Sequence, residues 1–366
     1  MKKIRMMMAA ALAILASCST TKSGESTANP LSSKVIVAYV TSWSNIAPEP
    51  QYMTHINYAF GHVNESFDGV RIDNEERLKQ IVDLKKQNPE LKVLLSVGGW
   101  GSGRFSEMAA NDEYRRAFAK DCDRVVKEFD LDGIDIDWEY PCLDWAGIES
   151  APQDKENFSL LLEGLRGALG AHKIVSIAAG AGHYFVENTQ MERVAKACSY
   201  VQLMTYDLRS GFEREAGHHT NLFPTPGDRL NGSVQASVED FAAAGVPKDK
   251  IVIGAAFYSR RWDGVPDVNH GLFQTAATTG QYGPGYTDLY DEYINKNGFV
   301  RYWDDAAKAP YLFNGSTFIS YDDPESIRLK CAYLKKEGLL GIMYWEHSCD
   351  PSRRLLTAMA DAMLHA

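Results

Sequence analysis

Leu131-Asp132-Gly133-Ile134-Asp135-Ile136-Asp137-Trp138-Glu139-Tyr140-Pro141 reads first as a β-strand. Ile134, Ile136 and Trp138 share one parity, and Asp135, Asp137 and Glu139 share the other. Successive strand side chains point to opposite faces, so three carboxylates line one face, each roughly 7 Å from the next. The opposite face is apolar. In a strand otherwise buried, such an acidic stripe costs on the order of several kcal/mol per unpaired ion. Core building alone does not produce it. The plain alternatives are a surface strand or a calcium loop. A calcium loop wants further oxygen ligands at set spacing and a glycine inside the loop. Here Ile, Ile and Trp intervene.

Short apolar runs recur on both sides of this stretch. They lie at 35–40, 55–60, 92–97, 133–138, 174–179, 200–205, 251–257 and 341–345. Most are continuous rather than alternating, as expected of parallel strands buried on both faces. Helical patterns separate most of them. Residues 75–88 carry Leu78, Ile81, Val82 and Leu84, and 114–129 carry Phe118, Val125, Val126 and Phe129. Residues 157–169 carry Phe158, Leu161, Leu162, Leu165 and Leu169, while 324–336 carry Ile327, Leu329, Cys331 and Leu334. A last helix is expected over 352–364. Eight strands alternating with helices predict an α/β fold, a (β/α)8 TIM barrel over 34–366. The link between the first two strands leaves little room for a helix. The link after the seventh is long, and a structureless loop of that length would be unusual. A small α+β insertion is therefore expected at about 262–319.

The chain has 366 residues, 45% hydrophobic and 23% charged, enough for one large barrel or two smaller domains. Its formal net charge is −10 with no block of like charge, which argues against nucleic acid as a partner. With 7 Trp, 18 Tyr and 15 Phe it suits a neutral ligand bound by stacking, although most such rings are ordinarily core. Lys2, Lys3 and Arg5 precede an apolar run, 6–15, too short to span a bilayer. Leu15-Ala16-Ser17-Cys18 then resembles the bacterial lipoprotein cleavage box. That implies a signal peptide at 1–17 and a lipid on Cys18; the alternative is an ordinary secretory peptide cut near Ala16 or Ser17. Residues 18–33, rich in Ser and Thr with one Gly and no apolar period, read as a flexible tether. The expected place is the bacterial cell envelope, anchored by lipid at the outer membrane, on its periplasmic or outer side. Cys122, Cys142, Cys198, Cys331 and Cys349 remain, an odd number at irregular spacing and no disulfide framework. No Cys/His cluster suggests a metal or another cofactor, and the adjacent His218 and His219 would point apart in an extended segment.

Several motifs sit at the ends of the predicted strands. Asp132-x-x-Asp135-x-Asp137-x-Glu139 closes the fourth, Ser96-Val97-Gly98-Gly99-Trp100 the third, Met204-Thr205-Tyr206-Asp207 the sixth, and Met343-Tyr344-Trp345-Glu346 the eighth. Together they resemble the glycoside hydrolase family 18 chitinases, over most of the chain from Val35 to Arg354. The resemblance implies that Glu139, Asp137, Asp135 and Tyr206 are catalytic. It also implies that Tyr39, Phe60, Ser96, Gly99, Trp100, Met204, Asp207, Arg260 and Trp345 bind substrate. Phe257-Tyr258-Ser259-Arg260 departs from the family's usual FYGR at Ser259, which weakens the transfer to Arg260. Several chitinases of this kind carry an insertion after the seventh strand, as a wall beside the groove.

The implied function is hydrolysis of β-1,4 bonds in N-acetylglucosamine polymers, chitin or chitooligosaccharides, by a monomer without cofactor. The implied mechanism is retaining and substrate-assisted, through an oxazolinium intermediate. Three alternatives stand beside it: an endo-β-N-acetylglucosaminidase on N-glycans, a non-catalytic chitin-binding lectin of the same fold, and a peptidoglycan-directed enzyme. The presence of Glu139 argues against the lectin, and the insertion and sixth-strand sequence favour chitinase. Asp135 and Asp137, one pleat apart, are expected to lean together and hold one proton between them. Ser96 and Tyr39 would donate to whichever stays charged.

Overall fold

The computed structural model describes residues 34–364, so the expected leader and the whole expected tether, Cys18 included, lie outside the described residues. Fourteen strands are present among the described residues. They are β1 (Val35–Thr41), β2 (His55–Val63), β3 (Val70–Ile72), β4 (Lys92–Gly98), β5 (Gly133–Asp137), β6 (Ile174–Gly180) and β7 (Tyr200–Met204). There follow β8 (Ile251–Ala256), β9 (Tyr258–Asp263), β10 (Gln281–Gly285), β11 (Val300–Asp304), β12 (Ala309–Phe313), β13 (Thr317–Ser320) and β14 (Gly341–Trp345). β1, β14, β8, β7, β6, β5, β4 and β2 pair in parallel in that order, and β1 pairs β2 as well. The ring is closed: a (β/α)8 barrel. Its strands are the eight continuous apolar runs, buried along nearly their whole length.

The helices outside the ring follow their apolar periodicity. Asp112–Glu128 starts at Asn111, whose side chain accepts from the Glu113 and Tyr114 amides, and it buries Phe118, Cys122, Val125 and Val126. Asp154–Leu169 buries Phe158, Leu161, Leu162 and Leu165 and ends at Gly170. Pro324–Glu337 begins in a reciprocal cap between Asp323 and Ser326 and ends on Gly338, whose φ of 73° suits glycine. The expected helix at 75–88 is shorter, an α-helix to Val82 followed by a 3-10 turn, Asp83–Lys86. Phe105–Ala110, His183–Glu187, Met191–Ala197 and Val234–Ala243 are helices that periodicity did not reveal. The first three are too short to show a stripe. Between β1 and β2 there is one 3-10 turn, Pro50–Tyr52, as the short spacing implied.

After β8 the chain leaves the barrel. A bend at Phe257 separates β8 from β9, so one extended segment serves two sheets. The second sheet is antiparallel, in the order β10-β9-β13-β12-β11. It packs on its own core of Trp262, Leu272, Tyr311, Phe313 and Phe318. The insertion thus spans 258–320 and begins four residues before the expected 262, because β9 continues directly from the barrel strand. Beneath its return Asp322 is a hub. It accepts from Lys330 Nζ (2.6 Å), Thr220 Oγ1 (3.0 Å), the Ala256 amide (3.0 Å) and Ser326 Oγ (2.7 Å). The ion pair with Lys330 is fully buried. A third feature is β3, a short antiparallel partner for the end of β2.

Candidate active site

The parity read from the sequence is the parity of the structure. Trp138 points away from the barrel axis, stacked on Phe105 at 5.3 Å and edge-on to Phe158 at 5.7 Å. Asp135 points inward and is completely buried. Its Oδ2 accepts from Tyr39 Oη (2.9 Å) and Ser96 Oγ (2.8 Å). Its Oδ1 accepts from Ser176 Oγ (2.7 Å) and Gln202 Nε2 (2.9 Å). Asp137, one pleat on, is also buried, and its Oδ1 has no hydrogen-bond partner. Glu139 lies just beyond the strand end, buried as well.

Burial dominates the protonation of all three. It raises Asp135, against the four donors that favour the carboxylate. It raises Asp137 well above the usual range, helped by the negative charges of Glu139 and Asp135. Burial likewise lifts Glu139 to about 7; a hydrogen bond from Tyr140 opposes the shift and the charge of Asp207 adds to it. The expected bond between the two aspartates is therefore replaced by a division of labour. Asp135 has its acceptor sites filled by Tyr39, Ser96, Ser176 and Gln202 and can hold a charge. Asp137 lacks donors at Oδ1 and is the better seat for the proton.

The adjoining strand ends complete the site. Gly98 and Gly99 have φ of 132° and 97°. A Cβ on Gly98 would meet the Asp137 carbonyl oxygen at 2.0 Å, and one on Gly99 the Phe60 ring at 2.8 Å, so neither position can carry a side chain. Trp345, half-buried, closes the floor between Tyr39 (5.7 Å) and Phe60, which stacks on it at 5.7 Å. Tyr206 is buried with its hydroxyl 3.7 Å from Met343 Sδ, and Met204 is buried at the end of β7. Tyr58, by contrast, donates to the Asp73 and Asn74 carbonyls and takes no part in this cluster.

Asp207 is clamped. Arg260 donates to both its oxygens at 2.6 Å, from Nε and Nη2, and Tyr258 donates at 2.6 Å. The His219 ring stands at 3.5 Å. Burial would raise the Asp207 carboxyl, but His219 and Arg260 outweigh it and hold the group far below its ordinary range. Arg260, expected to bind substrate, holds Asp207 through Nε and Nη2 and donates from Nη1 to the Gly280 carbonyl. Ser259 does not disturb this, since its hydroxyl is absorbed by the Pro284 carbonyl at 2.8 Å. His219 and His218 serve different carboxylates, Asp207 and Asp304.

Exposed rings extend the site in both directions. Trp100, expected here, meets Phe212 at 6.3 Å and Tyr140 at 6.2 Å. Trp145 meets Phe212 at 6.3 Å and Tyr184 at 4.7 Å. Trp43 meets Phe60 at 6.3 Å, and Tyr282, from the insertion, stacks on Tyr258 at 4.5 Å. Trp43, Trp145, Tyr184, Phe212 and Tyr282 escaped the sequence reading, and Tyr140 and Tyr258 stood in motifs without an assigned role. Most belong to loops, and the available signal was an aromatic residue shortly after a strand-end motif. A row of open rings over buried carboxylates suits a sugar chain, whose C–H faces stack on aromatics while its hydroxyls reach polar groups.

Residues 35–350 match the family model described as glycosyl hydrolases family 18. Chitinase A1 of Niallia circulans is 34% identical over 409 residues, covering 90% of this chain. The match spans 58% of that relative's length. Chitotriosidase-1 of Mus musculus is 29% identical, covering 86% of this chain and 73% of the relative. Among solved structures, a glycoside hydrolase family 18 N-acetylglucosaminidase from Paenibacillus barengoltzii is similar with a TM-score of 0.87 and 51% identity. That similarity covers 90% of this chain and 99% of the other.

Proposed function

The chain belongs to glycosyl hydrolase family 18, and from that premise we propose that it hydrolyses β-1,4 bonds beside N-acetylglucosamine in chitin or its oligomers. The observation that carries this reading is the contrast between two neighbours at one strand end. Glu139 has a carboxyl lifted to about 7, and Asp137 has a buried oxygen without a partner. The first suits an acid that must be protonated near neutral pH. The second suits a receptor for an amide N–H.

The reaction then runs as follows. Glu139 gives its proton to the glycosidic oxygen as the bond to the anomeric carbon breaks. The substrate's own acetamido oxygen attacks that carbon from the other side, forming an oxazolinium ion. Asp137, its proton first passed to Asp135, accepts the acetamido N–H and offsets the positive charge, Tyr206 donates to the acetamido oxygen, and Trp345 supports the distorted ring. Water next attacks the anomeric carbon, its proton passing to the Glu139 carboxylate. The ring of the intermediate opens and the configuration is retained. Glu139→Gln should abolish turnover, a loss of at least roughly 100-fold, and keep oligosaccharide binding. Near-native activity in that variant, or efficient cleavage of cellotetraose, which has no acetamido group, would sink the reading.

The 51% identity to an N-acetylglucosaminidase favours a second reading of the same chemistry, release of single N-acetylglucosamine units. The products of chitotetraose decide between them: monomer throughout, or dimers from the first turnover. We further propose that Cys18 carries lipid and holds the protein at a bacterial membrane. The support is the basic start, the apolar run and Leu15-Ala16-Ser17-Cys18.

A further inference from the structure

Beside Phe60 the groove opens into a side cavity of about 400 Å³, within the size range of small-molecule sites, roughly 300–1,000 Å³. Trp43, Phe60, His62, Arg71, Asp73 and Arg104 line it, together with the glycine-rich run before Arg104. None of its charged groups belongs to the reaction described above. The β2–β3 hairpin builds it. His62 and Arg71 face one another across that antiparallel pair, so both side chains stand on one face. His62 is fixed at both nitrogens, to Ser102 Oγ at 2.8 Å and to Asp73 Oδ2 at 2.9 Å. The other oxygen of Asp73 is taken by Arg71 Nη1. Asp73, the one carboxylate among the described lining residues, is thereby engaged at both oxygens, and its charge is matched once. Arg104 is the surplus cation. Its nearest carboxylate is Glu65, 3.9 Å away on a side chain that is 91% exposed. The side chains of Arg71 and Arg104 are themselves 57% and 42% exposed. Counted over the lining alone, which Glu65 does not join, two guanidiniums stand against one carboxylate on a chain whose formal net charge is −10.

We propose that this cavity receives an anionic substituent, a sulfate ester or a carboxylate, carried by a sugar of the bound chain near the Trp345 floor. The inference rests on the glycosidase reading, because it needs a sugar in the groove. Phe60 supplies the link, since one edge of the site is its stack on Trp345 and the other is the cavity wall. Hydroxyls and acetamido groups are neutral and need no surplus cation. Guanidinium edges match oxyanions in shape as well as charge.

The test uses three matched tetrasaccharides: unsubstituted N-acetylglucosamine, the same chain 6-O-sulfated, and a chain carrying lactyl ethers that end in carboxylates. At low salt at least one anionic substrate should exceed the neutral one in kcat/KM by roughly tenfold, and the advantage should shrink at high ionic strength. The double variant Arg71→Gln/Arg104→Gln should bring that ratio close to one. Preference for the sulfated chain alone assigns a sulfate site, and for the lactyl chain alone a carboxylate site. Equal kcat/KM for all three substrates, or a preference unmoved by the double variant, overturns the proposal. Affinities of the three chains for Glu139→Gln keep the two readings apart. A ranking by charge there supports the cavity even if no substrate is cut, and equal affinities reject it even if all are.

Discussion

At the scale of single residues, protonation and satisfied donors separate groups that look alike in the sequence. Tyr140 hydrogen-bonds Glu139 and thereby favours its ionised form. Tyr140→Phe removes that preference, so the Glu139 pKa should rise. Since the acid must hold its proton, the alkaline limb of kcat/KM should move to higher pH on a soluble substrate. A limb that stays put or falls would show that the hydroxyl does not tune the acid. The two aspartates make a second contrast. Asp135→Asn offers one acceptor oxygen to four donors and leaves two of them facing an amide nitrogen. The cost should be about 1–3 kcal/mol per unpaired donor. Asp137→Asn removes an oxygen that bonds nothing, so stability should change little while turnover falls. Urea melts of both variants check this, and equal destabilisation would contradict the division between them.

Among the elements, the insertion matters through what it sends back to the barrel. β9 carries Tyr258 and Arg260, which hold Asp207, and β10 carries Tyr282, whose ring stacks on Tyr258. This sheet is anchored where the chain re-enters the barrel, at Asp322 and Lys330. Burial lowers the Lys330 pKa even though Asp322 favours the charged form. Lys330→Ala should cost about 3–5 kcal/mol, because it strands a buried carboxylate. Thermal unfolding of the variant measures it. A loss below about 1 kcal/mol would mean that Thr220, Ser326 and the Ala256 amide suffice to hold Asp322.

For the whole molecule, attachment and catalysis are expected to be separate. The barrel begins at Val35, and the lipid site proposed at Cys18 precedes it in the chain. Cys18→Ala should shift the protein from the detergent phase to the aqueous phase of a phase-partition experiment, with kcat/KM on chitotetraose unchanged. A variant that still enters the detergent phase would refute lipidation at this residue.

The sequence by itself determined the barrel, because parallel strands covered on both faces must be apolar throughout, and such runs are visible without partners. It determined the strand-end motifs for a related reason: period-two alternation separates Asp135, Asp137 and Glu139 from Ile134, Ile136 and Trp138 whatever surrounds them. Only the tertiary structure decided which carboxylate has its acceptor sites filled, since the donors to Asp135 come from β1, β4, β6 and β7. It also brought Arg260 onto Asp207. The loop rings Trp43, Trp145 and Phe212 and the β2–β3 hairpin with its arginines have no periodicity to betray them. Their meaning lies in contacts between segments far apart in the chain, and those distances exist only once the barrel has closed.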